Sequence, residues 1–225
     1  LKKLINTSPL GCVGMLLLGG VFSTQFGMAA VFGSTAGLSI SQISLFVASF
    51  YIGAIFLQYP IGWFSDRMDR RVLITMVSST CGIGAMLGIF GWESYQTLLI
   101  AAFLVGGMSN PLYSLLIAHT NDFVDFDYMV AASGGLLFLH GIGAISGPLI
   151  VGWVMGQVGP GGFFLVIFTL VALLSGYAIY RMTQRAAATV AETGFYAAVA
   201  PTASPVALEI AQEYAIDISS EEDNA

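Results

Sequence analysis

The chain has 225 residues, of which 56% are hydrophobic and only 9% charged, with a mean hydropathy of +0.84 and a net charge of −6. Soluble domains carry about 25% charged residues, so too few remain here to cover a water-soluble fold, and an integral membrane protein is expected. Much of the acidic excess sits after Arg185, at Glu209, Glu213, Asp217, Glu221 and Glu222, and no basic patch supports nucleic-acid binding.

Uncharged runs count the membrane spans. Leu4–Ser65 has 62 residues, Val72–Trp92 has 21, Ser94–Asn121 has 28 and Tyr128–Tyr180 has 53. A spanning helix needs about 20 apolar residues, so the runs hold two, one, one and two helices. The first helix is expected to start after Ser8-Pro9, with Ser as cap and Pro in the first turn, and to run to about Phe32. A small polar turn, 33–42, offers Ser39 or Ser41 as the next cap. The second helix covers about 43–64, the third 71–90 and the fourth 96–118. A polar acidic loop, 119–127, precedes the fifth helix at 128–156. A Gly/Pro turn at 157–162 precedes the sixth at 163–180. Cys12 and Cys81 fall inside apolar runs and read as small buried hydrophobes.

Six spans place both chain ends, 65–71 and 119–127 on one side. Lys2, Lys3, Arg67, Arg70, Arg71, Arg181 and Arg185 then share that side, which the positive-inside rule makes cytoplasmic. Residues 1–185 read as one membrane domain. Residues 186–225 read as a disordered acidic cytoplasmic tail, with a weak amphipathic pattern over 206–218. The chain begins at Leu1 with no leader pattern in view, and reads as a fragment with an N-terminal part missing.

Polar residues inside the spans are few. No Asp, Glu, Lys or Arg lies deep in any run, although ion-coupled transport commonly uses such a group. His140 is the only deep titratable residue, a candidate for a proton-linked or gating role, or simply a partner for a neighbouring carbonyl. Gln25, Gln58 and Asn110 are the other deep polar groups. Gln25 lies between Phe22 and Phe26, and Asn110-Pro111 precedes Tyr113 by a turn, a combination suited to a neutral or partly apolar ligand. Gly84-x3-Gly88 and the run Gly141, Gly143, Gly147, Pro148, Gly152 and Gly156 read as close helix packing. The central Gly-Pro adds the prospect of a helix that bends or slides. No nucleophile-elbow pattern with a partner histidine and no P-loop is present, so neither an intramembrane hydrolase nor an ATP-driven pump is expected. His119 and the aspartates after it lack metal-ligand spacing and read as a solvated loop; no metal or cofactor is expected.

The densest charge in the chain is Gly62-Trp63-Phe64-Ser65-Asp66-Arg67-Met68-Asp69-Arg70-Arg71, between the second and third spans. This segment resembles the cytoplasmic signature of the major facilitator superfamily, G-x-L-A-D-R-x-G-R-R. Gly62, Ser65, Asp66, Arg67, Arg70 and Arg71 match, and Asp69 stands where glycine is usual. Gly143-x3-Gly147-Pro148-x3-Gly152 is similar to the Gly-Pro motif of a fifth helix in the same family. The resemblance covers residues 4–183 and implies an all-α fold. It further implies the C-terminal six-helix half of a twelve-helix transporter, a 3+3 inverted repeat, and alternating access by rocking of two halves. It also implies that the first and fourth helices line a substrate cavity, at Phe22, Gln25, Phe26, Asn110 and Tyr113. The expected partners are a small-molecule substrate, a proton in a coupled cycle, the lipid bilayer and the missing half. A bacterial inner membrane is the expected location, with sugar- and drug-transporter-type members as the nearest kind. Asp66 lies at a helix C-terminus, where the dipole disfavours an anion, so it is expected to pair with an arginine and latch this side shut. Asp69 is expected to cap the third helix. A six-helix channel or scaffold acting alone is the competing expectation.

Overall fold

A computed structural model of the protein describes residues 1–124, 128–184 and 210. The order is α1 (Lys2–Thr7), α2 (Pro9–Phe22), a π-helical turn (Ser23–Gly27), α3 (Ala29–Thr35), α4 (Ile40–Ser65), α5 (Arg70–Gly91), α6 (Tyr95–Asn121), α7 (Met129–Val158) and α8 (Gly162–Gln184). Among the described residues there is no strand, and six segments are long and apolar enough to cross a membrane. Asp125 and Asp127, Arg185 and all but one residue of the acidic tail, together with the domain boundary drawn there, lie outside the described residues.

Caps fix several boundaries. Ser39 accepts the amide of Gln42 while the Gln42 side chain accepts the Ser39 amide, a reciprocal capping box that starts α4. Asp69 accepts the Arg71 amide at 2.9 Å and starts α5. Ser8 departs from expectation. It precedes Pro9, but its hydroxyl makes no cap bond and instead pairs with Thr120 Oγ1 of α6 at 3.1 Å.

The first span is not the continuous helix expected to Phe32. The Thr24 hydroxyl donates to Gly20 O at 2.7 Å and the Ser23 hydroxyl donates to the same carbonyl at 3.1 Å. Hydroxyls that bond back onto the preceding turn distort helices, and here the chain widens into the π turn before α3 resumes. The fourth span also differs. His119, Thr120 and Asn121 form the last turn of α6, and His119 is buried rather than solvated in a loop.

The six spans pack with two-fold exchange symmetry. In span order, the first (α2) packs on the fifth (α7), and the second (α4) packs on the fourth (α6). Exchanging the two sets of three spans converts one pair into the other, and maps the α5–α8 pair onto itself. The closest approaches repeat the pattern. A Cβ on Gly19 would strike His140 O, and one on Gly143 would strike Leu16 O. Likewise a Cβ on Gly53 would strike Phe103 O, and one on Gly106 would strike Phe50 O. Each crossing therefore has one glycine on either helix facing the other's carbonyl, which lets the backbones touch. Pro60 and Pro148 lie within α4 and α7, the exchanged pair, and α7 stays helical through Pro148. This matches the 3+3 repeat.

Burial separates the helices. Of the most apolar window of each span, 72% is buried in α6, but only 28% in α4 and in α7. α6 is the centre of the bundle, and α4 and α7 are its least enclosed members. The end away from the arginines is filled by Phe32, Phe46, Phe50, Phe163 and Phe164, whose rings meet at centroid distances of 4.8–6.2 Å.

Candidate functional site

Two groups of polar side chains stand out, one at the arginine-bearing end and one within the bundle.

The first is built where α4 ends, α5 begins and α6 ends. Arg70 Nε donates to Ser65 Oγ at 3.2 Å, and its Nη1 donates to Ala118 O at 3.2 Å and to the Asp122 carboxylate. The side chains of Arg70 and Asp122 are 2% and 3% exposed, so this is a buried, hydrogen-bonded ion pair. The guanidinium also lies against the α6 C-terminus, where the helix dipole favours a cation. Asp66 reaches Arg70 only at 3.9 Å. The expected pairing of Asp66 with an arginine is thus present, but Asp122, which the sequence reading left in a loop, holds the closer contact. Arg71 pairs with Asp69 at 2.8 Å. Burial alone would push the Asp69 carboxyl up. Hydrogen bonds from the Arg71 side chain and amide outweigh that and hold it below the ordinary carboxylate value. Arg67 turns outward, stacks 4.1 Å over the Trp63 ring and donates to Trp63 O at 3.0 Å. Gly62, Trp63, Asp66 and Arg67 line a groove of about 450 Å³ on the exposed face of α4, together with Gln58 and Tyr59.

The second group joins α2, α6 and α7. The rings of Phe22, Tyr113 and His140 form a triangle, with centroids 6.4 Å, 5.4 Å and 5.7 Å apart. One turn along, Ser109 Oγ donates to Gln25 Oε1 at 2.8 Å, and Gln25 is the middle residue of the π turn. Phe26 stacks on Phe22 at 5.7 Å and on Tyr51 at 4.9 Å. Of the five cavity candidates, Phe22, Gln25, Phe26 and Tyr113 therefore converge. Asn110 donates to Gly106 O of its own helix at 2.9 Å, beside Pro111. Ser109, its buried neighbour, is the partner the sequence reading missed. Gln25 Nε2 and His140 Nε2 are buried with no hydrogen-bond partner.

The glycines of α7 divide. Gly143 and Gly147 face α2, against Leu16 O and Ser23 Oγ, whereas Gly152 comes no nearer than 3.9 Å to Met28 Cε. Cys12 and Cys81 are free and buried. Among the described residues, no three His, Cys, Asp or Glu side chains group as a metal site.

Comparison with known proteins adds the context. A family model described as Major Facilitator Superfamily matches residues 10–210. An uncharacterized MFS-type transporter of Escherichia fergusonii, YcaD, is 25% identical over 163 residues, which is 72% of this chain and 42% of that protein. A second uncharacterized MFS-type transporter, YE1530 of Yersinia enterocolitica, is 26% identical over 164 residues, 72% of this chain and 41% of its own length. Two solved structures share the fold, each with a TM-score of 0.69 over 82% of this chain and 39% of theirs. One is an auto-inhibited POT family peptide transporter at 14% identity, the other the POT family transporter PepTSo at 15%. The chain thus spans about two fifths of the relatives it matches.

Proposed function

Because the chain belongs to the Major Facilitator Superfamily and is a multi-pass membrane protein, we propose that it forms one six-helix half of a secondary transporter. That transporter moves a small organic solute by alternating access against a second six-helix unit. The family match over residues 10–210 carries the proposal. Membership in a transporter family also argues against an enzyme.

Two features support the two-unit reading. α4 and α7 are the least enclosed helices, and the open face of α4 carries Gln58, Asp66 and Arg67 along with Tyr59 and Trp63. The Gln58 amide within that face suits a protein neighbour better than lipid tails, and Asp66 and Arg67 stand at its end. In this reading the second unit packs on α4 and α7. The buried Arg70–Asp122 pair makes the ends of α4, α5 and α6 one rigid block, and Asp66 and Arg67 present that block to the second unit as a latch. Gly143 and Gly147 give α7 a surface that shifts against α2, and Pro148 with Gly152 lets α7 bend. Phe22, Gln25, Phe26 and Tyr113 belong to the central site together with His140, and Asn110 lies beside them on α6. The lysines and arginines face the cytoplasm of a bacterial inner membrane.

Flux in proteoliposomes that hold this chain together with its second six-helix unit tests this. A transporter gives saturable uptake that accelerates when unlabelled solute is trapped inside. A six-helix channel instead gives uptake linear in concentration, with no acceleration, and a scaffold gives none.

A further inference from the structure

Most buried polar groups in a folded protein have partners, and leaving one unmatched costs about 1–3 kcal/mol. Among the described residues three buried side-chain atoms break that rule: Asn121 Oδ1 at the end of α6 and, together within the bundle, one nitrogen each of Gln25 and His140. Gln25 is 0% exposed and His140 8%, and each keeps a side-chain nitrogen with no partner. Turning the Gln25 amide over would not help. Ser109 Oγ would then meet the nitrogen and leave the oxygen unmatched, because one hydroxyl serves one end of the amide. Either imidazole tautomer likewise leaves His140 Nε2 with an unused donor or acceptor.

The two groups belong to one place. Phe22 contacts the His140 ring and lies one turn from Gln25, while Tyr113 contacts the same ring and lies one turn from Ser109. Gln25 thus lies about one helical turn along the chain from Phe22, whose ring centroid is 5.7 Å from that of His140. The π turn that carries Gln25 is a second, independent sign, since such turns are frequent at functional sites. The surroundings bear no charge. Every described Asp, Glu, Lys and Arg lies at or beyond the end of a span.

Building on the transporter reading, we propose that Gln25 and His140 are the two polar contact points of the substrate site in this half. The site takes an uncharged, amphipathic solute, a flat apolar body bearing a carbonyl or hydroxyl. The Phe22, Phe26 and Tyr113 rings hold the body, and the Gln25 amide and the His140 nitrogen hold the polar group. With no ion here to offset its charge, a carboxylate or ammonium loses its hydration without compensation and is rejected.

The test uses three matched probes: neutral benzamide, anionic benzoate and cationic benzylamine. Binding of radiolabelled benzamide to the detergent-purified protein is measured, with the other two as competitors. The expected result is saturable benzamide binding, competition at least tenfold weaker by either ion, and at least a tenfold loss of affinity in Gln25→Leu and in His140→Leu. His140→Gln, which keeps a polar nitrogen, recovers part of that loss. Size-exclusion profiles matching the unsubstituted protein certify each variant as folded. The proposal is overturned by no saturable binding of benzamide, by an ion that competes equally well, or by folded leucine variants that bind as before. Flux separates it from the transport reading. A protein that moves solute but favours charged ones sinks only this inference, whereas one that binds benzamide and moves nothing sinks only the transport reading.

Discussion

The two polar clusters treat burial in opposite ways. At the arginine-bearing end, Arg70 is enclosed and satisfied by Ser65, the Ala118 carbonyl, Asp122 and Asp66. In the bundle, Gln25 and His140 are equally enclosed but keep unused nitrogens. A group matched on all sides stabilises one arrangement of helices. A group left unmatched destabilises the empty protein and reserves its hydrogen bond for something else. On the proposal above the first cluster is framework and the second a site, although both consist of buried polar residues at helix contacts.

Substitutions sharpen this contrast. The largest effect is expected from Asp122→Ala, which takes away the closest carboxylate of the buried Arg70. Removing one partner of such a pair costs about 3–5 kcal/mol, and the detergent-solubilised protein should melt far below the original. An unchanged melting temperature would show that the cluster is not framework. Next comes Gly106→Val, whose side chain meets the Phe50 backbone at the α4–α6 crossing. Overpacking of this kind costs about 1–3 kcal/mol, and Gly141→Ala, with open space around it, is the neutral control. Asp69→Ala removes the α5 cap and should cost about 1 kcal/mol. The Asp69 carboxyl is held below its ordinary value, so its contribution is full above the unfolded pKa of about 3.9 and fades as pH falls through the lower folded value. Melting scans of the original protein and of Asp69→Asn should therefore differ by a constant amount above pH 5 and converge only under strong acid. Asp66→Asn should change stability least, by under ~1 kcal/mol, because Asp66 is partly exposed and 3.9 Å from Arg70. Its effect belongs in the flux assay, where an Asp66 that acts as the proposed latch makes Asp66→Asn change the transport rate.

The sequence carried the frame of this molecule and missed its pairings. Six spans were legible because a bilayer admits only long apolar helices, and seven basic residues sorted to one side. The glycine spacing was visible too, but the carbonyls of His140, Leu16, Phe103 and Phe50 that those glycines meet belong to distant helices. Asp122 lay hidden for the same reason. It pairs with a residue 52 positions away, and local composition placed it in a loop. The π turn was invisible to hydropathy, since it arises from two hydroxyls competing for Gly20 O. Gln25 and His140 were conspicuous as lone polar residues. Their convergence on one ring cluster, and the lack of a partner for either, needed the fold.

The contrast between framework and site is tested most directly by the melting temperature of Gln25→Leu, measured beside Asp122→Ala in one detergent. Leucine removes the unmatched amide, and Ser109 retains Gly106 O at 3.5 Å as an acceptor. The expected result is a Gln25→Leu protein that melts at or above the original while Asp122→Ala melts well below it. A Gln25→Leu protein that falls as far as Asp122→Ala would make Gln25 framework as well, and would contradict the account.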